Sequence, residues 1–137
     1  MRIAVIDGQG GGIGKAIVER LRKELPETVK IIALGTNSAA TVLMLKAGAD
    51  EGATGENAIV FNSKKVDIIT GPIGIILANS MMGEFTPKMA EAIATSPAIK
   101  ILIPLNKCGI EIVGIKNETI PQHIDSAVLK IKEYCMN

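Results

Sequence analysis

Tryptophan is absent, tyrosine occurs once and phenylalanine twice, so aromatic side chains make up only 2% of the 137 residues. Proteins that hold single-stranded nucleic acid stack its bases on aromatic rings, and this chain has almost none to offer. An excess of one charge is missing too. Fifteen Lys and Arg against 14 Asp and Glu leave a formal charge of +1, and like charges run no longer than a pair such as Lys64-Lys65. Without a basic stripe for a phosphate backbone, nucleic acid is not an expected partner. The two cysteines, Cys108 and Cys135, have no paired spacing and the chain has one histidine, which gives neither a disulfide framework nor a zinc pattern and fits a reducing compartment. Apolar runs such as Ile73 to Ala78 are far shorter than the ~20 residues of a membrane helix. The N-terminus enters a strand-like run at once, without the pattern of a signal peptide. The expectation is a cytoplasmic protein with no membrane partner.

With 47% hydrophobic and 21% charged residues, the chain has material for one buried core and is too short for two ordinary domains. Residues 1–137 are therefore expected to form a single domain. Its apolar runs alternate between two periods. Arg2 to Asp7 and Val29 to Leu34 read as buried strands, with a shorter one at Asp50 to Thr54 and others at Val66 to Thr70, broken by Gly71-Pro72, and Ala98 to Leu105. Between them, Ile13, Ile17, Leu21 and Leu25 recur every four residues until Pro26, Asn37 or Ser38 caps a helix that ends at Gly48, and a short helix starts at Glu56. Ile73 to Met82 is apolar nearly all round and predicts a buried helix, set in the core or against a second copy of the chain. Thr86-Pro87 and Thr119-Ile120-Pro121 open two more helices. Asn106 to Gly109 reads as a hairpin turn into an antiparallel strand, Ile110 to Ile115. Buried strands alternating with helices imply right-handed βαβ units, hence an α/β, three-layer, Rossmann-like fold with a mostly parallel sheet and an antiparallel C-terminal edge strand.

The chemistry concentrates at Asp7-Gly8-Gln9-Gly10-Gly11-Gly12-Ile13-Gly14, where five glycines fall in seven positions between a strand and a helix. That much bare backbone is tolerated where something must approach closely, and at a helix N-terminus the usual visitor is a phosphate. A tight turn without a ligand remains the other reading. The loop of P-loop NTPases would need glycine at Gln9 and Ser or Thr at Ala16, so nucleotide hydrolysis of that kind is excluded. The G-x-G-x-x-G fingerprint finds Ile13 at its third glycine. The spacing G-x-x-x-G-x-G, at Gly8, Gly12 and Gly14, resembles the cofactor loop of the short-chain dehydrogenase/reductase superfamily over about the first twenty-five residues. That resemblance implies NAD or NADP as cofactor, with Gly8 making the turn, Gly12 meeting the pyrophosphate and Gly14 packing helix on strand. The superfamily's Tyr-x-x-x-Lys is missing, however, and Gly35-Thr36-Asn37-Ser38 stands where an acid would hold a ribose.

A second resemblance runs the whole length. "IAVIDGQGGGIG", "IIALGTNSAAT", "DIITGPIGIILANSMMGE" and "KILIPLNKCGIEIVG" are similar to a small bacterial family of Rossmann-like proteins known as a domain of unknown function, which implies a nucleotide-binding-like fold and no particular activity.

Topology places a ligand beyond the carboxyl ends of the strands, between the loops after the first and fourth. The expected cofactor-binding residues are Asp7, Gly8, Gln9, Gly10, Gly11, Gly12, Ile13, Gly14, Thr36, Asn37, Ser38, Thr70 and Gly71, with Asn79, Ser80 and Asn106 further out. Asp7 either bonds the ligand or accepts backbone N–H groups and shapes the turn. Lys15 meets phosphate or solvent. Cys108, beside Lys107, reads as inert in the absence of a base, and His123 as a surface residue. Asp67 is a buried partner or a strand boundary, and no metal cluster is visible. Two functions follow: a nucleotide-binding module acting as a homodimer, or a small oxidoreductase- or transferase-like enzyme that uses the nucleotide as cosubstrate.

Overall fold

The computed structural model describes residues 1–105 and 109–136. Its first strand, β1 (Arg2–Asp7), is followed by α1 (Gly12–Glu24), β2 (Lys30–Gly35), α2 (Ser38–Ala47), β3 (Glu51–Thr54), α3 (Glu56–Asn62) and β4 (Ile68–Pro72). A 3-10 turn (Ile73–Ile76), α4 (Pro87–Thr95), β5 (Ile99–Ile103) and α5 (Ile120–Cys135) complete the chain. All the strand pairings are parallel and the order is β3-β2-β1-β4-β5. The strand order therefore reverses between β1 and β4, as in a Rossmann-like fold with helices on both faces.

Alternation along β1 divides the core. Ile3 and Val5 point to a layer that holds Ile17 and Leu21 of α1, Met44 of α2 and Val128 and Ile131 of α5. Ala4 and Ile6 point to the opposite layer with Ile59, Phe85, Met89 and Ile93. Each of these large side chains stabilises the fold by roughly 1.5–3 kcal/mol through burial. The helix ends follow local chemistry. Asn37 accepts from the Ala40 N–H at 2.9 Å, Thr86 caps α4 ahead of Pro87, and Thr119 and Gln122 cap α5 reciprocally. Pro104 lies just past the end of β5, an edge strand, where its missing N–H removes no ladder bond.

Three expectations are corrected. Ile73 to Met82 is not a helix: a single 3-10 turn gives way to a tight excursion closed by a bridge between Ser80 and Phe85. Asn79, Met81 and Met82 there have φ of 65°, 57° and 56°, which no right-handed helix permits. Strand β4 is not broken at Gly71-Pro72, because both residues pair with β5, in register with Leu102 and Ile103. A Cβ at Gly71 would sit 2.2 Å from the Ile6 carbonyl oxygen, so glycine is what lets the strand continue beside β1. Ile110 to Ile115 forms no strand, and among the described residues the sheet has no antiparallel edge. Alternation favours a strand only where one face is buried, whereas Ile112, Val113 and Ile115 are exposed and Gly114 turns the chain at φ 88°. The expected turn at Asn106, Lys107 and Cys108 lies outside the described residues.

No helix among the described residues is long and apolar enough to cross a membrane.

Candidate functional site

The loop between β1 and α1 is built around a carboxylate. Asp7, 5% exposed at the end of β1, accepts the Gly14 N–H at 2.6 Å and the Gly8 N–H at 2.8 Å. Gly11 donates back to the Gly8 carbonyl and takes φ 74°, a left-handed conformation that suits glycine. Gly14 packs under Met44 and Asp7, where a Cβ would come within 2.7–2.8 Å of the Met44 sulfur and the Asp7 Cβ. The N–H groups of Gly10, Gly12 and Ile13 have no acceptor among the described residues. A Cβ at Gly10 or Gly12 would meet no atom within 4 Å.

A cavity of about 440 Å³ lies over this open backbone. Its floor is Asp7 to Ile13. One wall is Pro72, the last residue of β4, with Ile73, Gly74 and Leu77 after it, and the other is Leu105 with Ile120, Pro121 and Ile124 of α5. Lysine and arginine are absent from the lining among the described residues, and Lys15 points to solvent beside Glu19 at 3.8 Å. Three N–H groups without an acceptor, at and just before the N-terminus of α1, favour an anionic group, and the hydrocarbon walls favour a flat or apolar body.

The other expected residues lie elsewhere. Thr36 and Asn37 do not line the cavity; they donate to Glu84 Oε1 at 2.6 and 3.0 Å, and the Gln9 N–H does so at 2.9 Å. Ser38 is exposed at the start of α2. Thr70 is fully buried inside β4, its hydroxyl without a partner among the described residues, and Gly71 packs against β1. Ser80 lines the cavity but bonds the Gly74 carbonyl, while Asn79 is an exposed turn residue. Asp67 is exposed and caps the strand boundary by accepting the Arg2 N–H at 2.7 Å. His123 is half-buried in the first turn of α5 and does not line this cavity. Asn106, Lys107 and Cys108 lie outside the described residues. Among the described residues no group of three His, Cys, Asp or Glu is placed to hold a metal ion.

The two carboxylates near the loop are tuned in opposite directions. Burial pushes the Asp7 carboxyl above its usual range, against the lowering effect of the Gly14 and Gly8 N–H bonds. The Thr36 hydroxyl, then the Gln9 N–H, holds Glu84 below the usual glutamate range. The signs for stability follow. Folded Asp7 keeps its proton to higher pH than the unfolded chain, so its contribution is largest below the unfolded value of 3.8 and declines as pH rises through the folded one. Folded Glu84 loses its proton at lower pH than unfolded, so its contribution is present above the unfolded value of 4.5 and is lost as pH falls through the folded one. Carboxyl carbon NMR titration is expected to place Asp7 above and Glu84 below those two values; shifts of the reverse sign would contradict the geometry.

Residues 2–136 match the family described as "Domain of unknown function (DUF3842)". The chain belongs to this family. Among solved structures, AibC is similar with a TM-score of 0.53 at 15% identity, over 97% of this chain and 39% of that one. The dodecameric FMN-dependent UbiX-like decarboxylase from Escherichia coli O157:H7 is similar with a TM-score of 0.48 at 16% identity, over 96% of this chain and 76% of that one. At 15% identity the likeness to AibC is one of fold alone. No curated protein matches the sequence.

In this family member two contributions to the site escaped sequence reasoning. The α5 wall, Ile120, Pro121 and Ile124, sits more than a hundred residues from the glycine loop and reads as an ordinary helix start. Glu84 is 75 residues from Gln9. Its only local sign is that it is the one charged residue between Asp67 and Lys88.

Proposed function

We propose that the chain binds one phosphate-bearing small molecule of about nucleotide size in the cavity over the glycine loop. The observation that carries this reading is the coincidence of three open N–H groups, at Gly10, Gly12 and Ile13, with the floor of a 440 Å³ cavity. That volume lies within the range of small-molecule sites. The phosphate rests on those donors, where the α1 dipole adds about 0.5–1 kcal/mol, and the ring packs between Pro72, Leu77 and Ile124. With no lining cation and Asp7 close by, the site favours a mono- or diester phosphate over a triphosphate. The glycine spacing that resembles a dehydrogenase loop supports the same placement and makes NAD and NADP candidates beside mononucleotides.

A thermal-shift panel with AMP, FMN, NAD, NADP, ATP and S-adenosylmethionine tests this. A ligand at about a hundred times its dissociation constant stabilises the fold by ~2.7 kcal/mol, a shift of several degrees. A shift with a monophosphate or diphosphate-bridged compound and none with ATP is the expected result. No shift with any compound, in protein free of co-purified ligand, would refute the reading.

One observation favours a second reading, that of a small enzyme. Asp7 lines the cavity and its carboxyl is held above the usual range by burial, as suits a general acid or base. On this reading Asp7→Asn, which keeps only one of the two acceptors that hold the Gly8 and Gly14 N–H groups, loses turnover by far more than it loses ligand affinity; turnover unchanged in that variant would remove Asp7 from the chemistry.

A further inference from the structure

The donors at the carboxyl ends of β1 and β2 already have an occupant. Glu84 Oε1 receives the Gln9 N–H, the Thr36 hydroxyl and the Asn37 side-chain amide at 2.6–3.0 Å. The Asn37 amide also reaches the Gln9 carbonyl at 3.0 Å, which ties the cluster across from β2 to β1. In a doubly wound sheet this is the ground where the adenosine half of a dinucleotide lies, its ribose held by an acid at the end of β2. Here the acid does not come from β2. It arrives on the excursion from Asn79 to Glu84, in which three non-glycine residues take positive φ. That shape is anchored by fully buried Phe85 and by the hydroxyl of Ser80 on the Gly74 carbonyl. Backbone held in such conformations clusters at ligand clamps and similar functional positions.

Gly8 marks how closely the excursion covers the loop. A Cβ there would lie 2.5 Å from the Thr36 hydroxyl, 2.7 Å from the Met81 sulfur and 3.2 Å from Glu84 Oε1. Over Gly10 and Gly12 the space is open. The backbone is thus accessible on the α5 side and covered on the β2 side.

We propose that Glu84 sets the length of the ligand: its carboxylate occupies the position of a dinucleotide's adenosine ribose, so the cleft accepts a mononucleotide seated between the glycine loop and α5 and rejects a dinucleotide. This rests on the nucleotide reading above. The contrary role, in which Glu84 itself grips that ribose through its other oxygen, makes the opposite prediction for dinucleotide binding: tight in the wild type and lost in Glu84→Ala.

The test is calorimetric titration of the full chain, Glu84→Ala and Glu84→Gln with AMP, FMN, NAD and FAD. Glu84 is exposed, so both variants are expected to fold, and melting curves check this. The wild type is expected to bind a mononucleotide at least tenfold more tightly than the dinucleotide that contains it. Glu84→Ala is expected to gain at least tenfold for the dinucleotide with little change for the mononucleotide. Glu84→Gln, which keeps the bulk and one acceptor oxygen, should stay selective. Dinucleotide binding to the wild type as tight as mononucleotide binding overturns the proposal and leaves the nucleotide reading standing. So does selectivity that survives in Glu84→Ala. No nucleotide binding to any of the three proteins overturns both.

Discussion

Replacing Gly12 by valine is expected to abolish ligand binding, by a factor of a hundred or more, while leaving the fold almost as stable as before. Gly12 is the first residue of α1, its φ is not in the left-handed region, and a Cβ there meets no atom within 4 Å. Valine has a higher helix propensity than glycine, so the exchange carries no propensity cost at this helix start. The isopropyl group, however, projects over the N–H groups where the phosphate is to rest. A loss of a hundredfold corresponds to about 2.7 kcal/mol of binding free energy. Calorimetry and a melting curve on the same preparation separate the two quantities. Binding retained within threefold would show that the ligand does not approach this backbone.

Gly71→Ala is expected to show the reverse pattern, a large loss of stability. The added Cβ would lie 2.2 Å from the Ile6 carbonyl oxygen, which is backbone and cannot swing aside. To admit it, β4 must move away from β1 at the centre of the sheet, between Val5↔Thr70 and the cleft wall that starts at Pro72. Overpacking of this kind costs about 3 kcal/mol, a fall in melting temperature of ~10 °C for a domain of this size. Because the wall moves with the strand, ligand affinity falls as well. A melting temperature within two degrees of wild type would mean that β1 and β4 are less tightly joined than described.

The two substitutions also show which parts of this site were legible beforehand. The alternation of short β-branched runs with four-residue periodicities announced the parallel sheet, and Asn37, Thr86-Pro87 and Thr119 announced three helix starts, because caps depend on residues a few positions apart. The glycine loop was visible for the same local reason. So was the role of Asp7 as an acceptor of backbone N–H groups, one of the two readings its position allowed. Ile73 to Met82 was misread because apolar content marks burial and not conformation, and nothing in its composition signals left-handed Asn79, Met81 and Met82. Thr36 and Asn37 were placed beside the ligand because they are polar and end β2. That Glu84 takes up their donors depends on a contact across 47 and 48 residues, for which a single sequence has no marker.

The central claim is that the N–H groups at the N-terminus of α1 receive the phosphate of a small ligand. It is tested most directly by following backbone amide NMR signals while a nucleotide from the panel is titrated in. Gly10, Gly12 and Ile13 are expected to move most and downfield, as donors that gain an acceptor, with smaller shifts at Ile73 and Ile124 on the walls and little change at Gly14, whose N–H already bonds Asp7. Largest shifts in α3 or α4, with the loop amides unmoved, would contradict it.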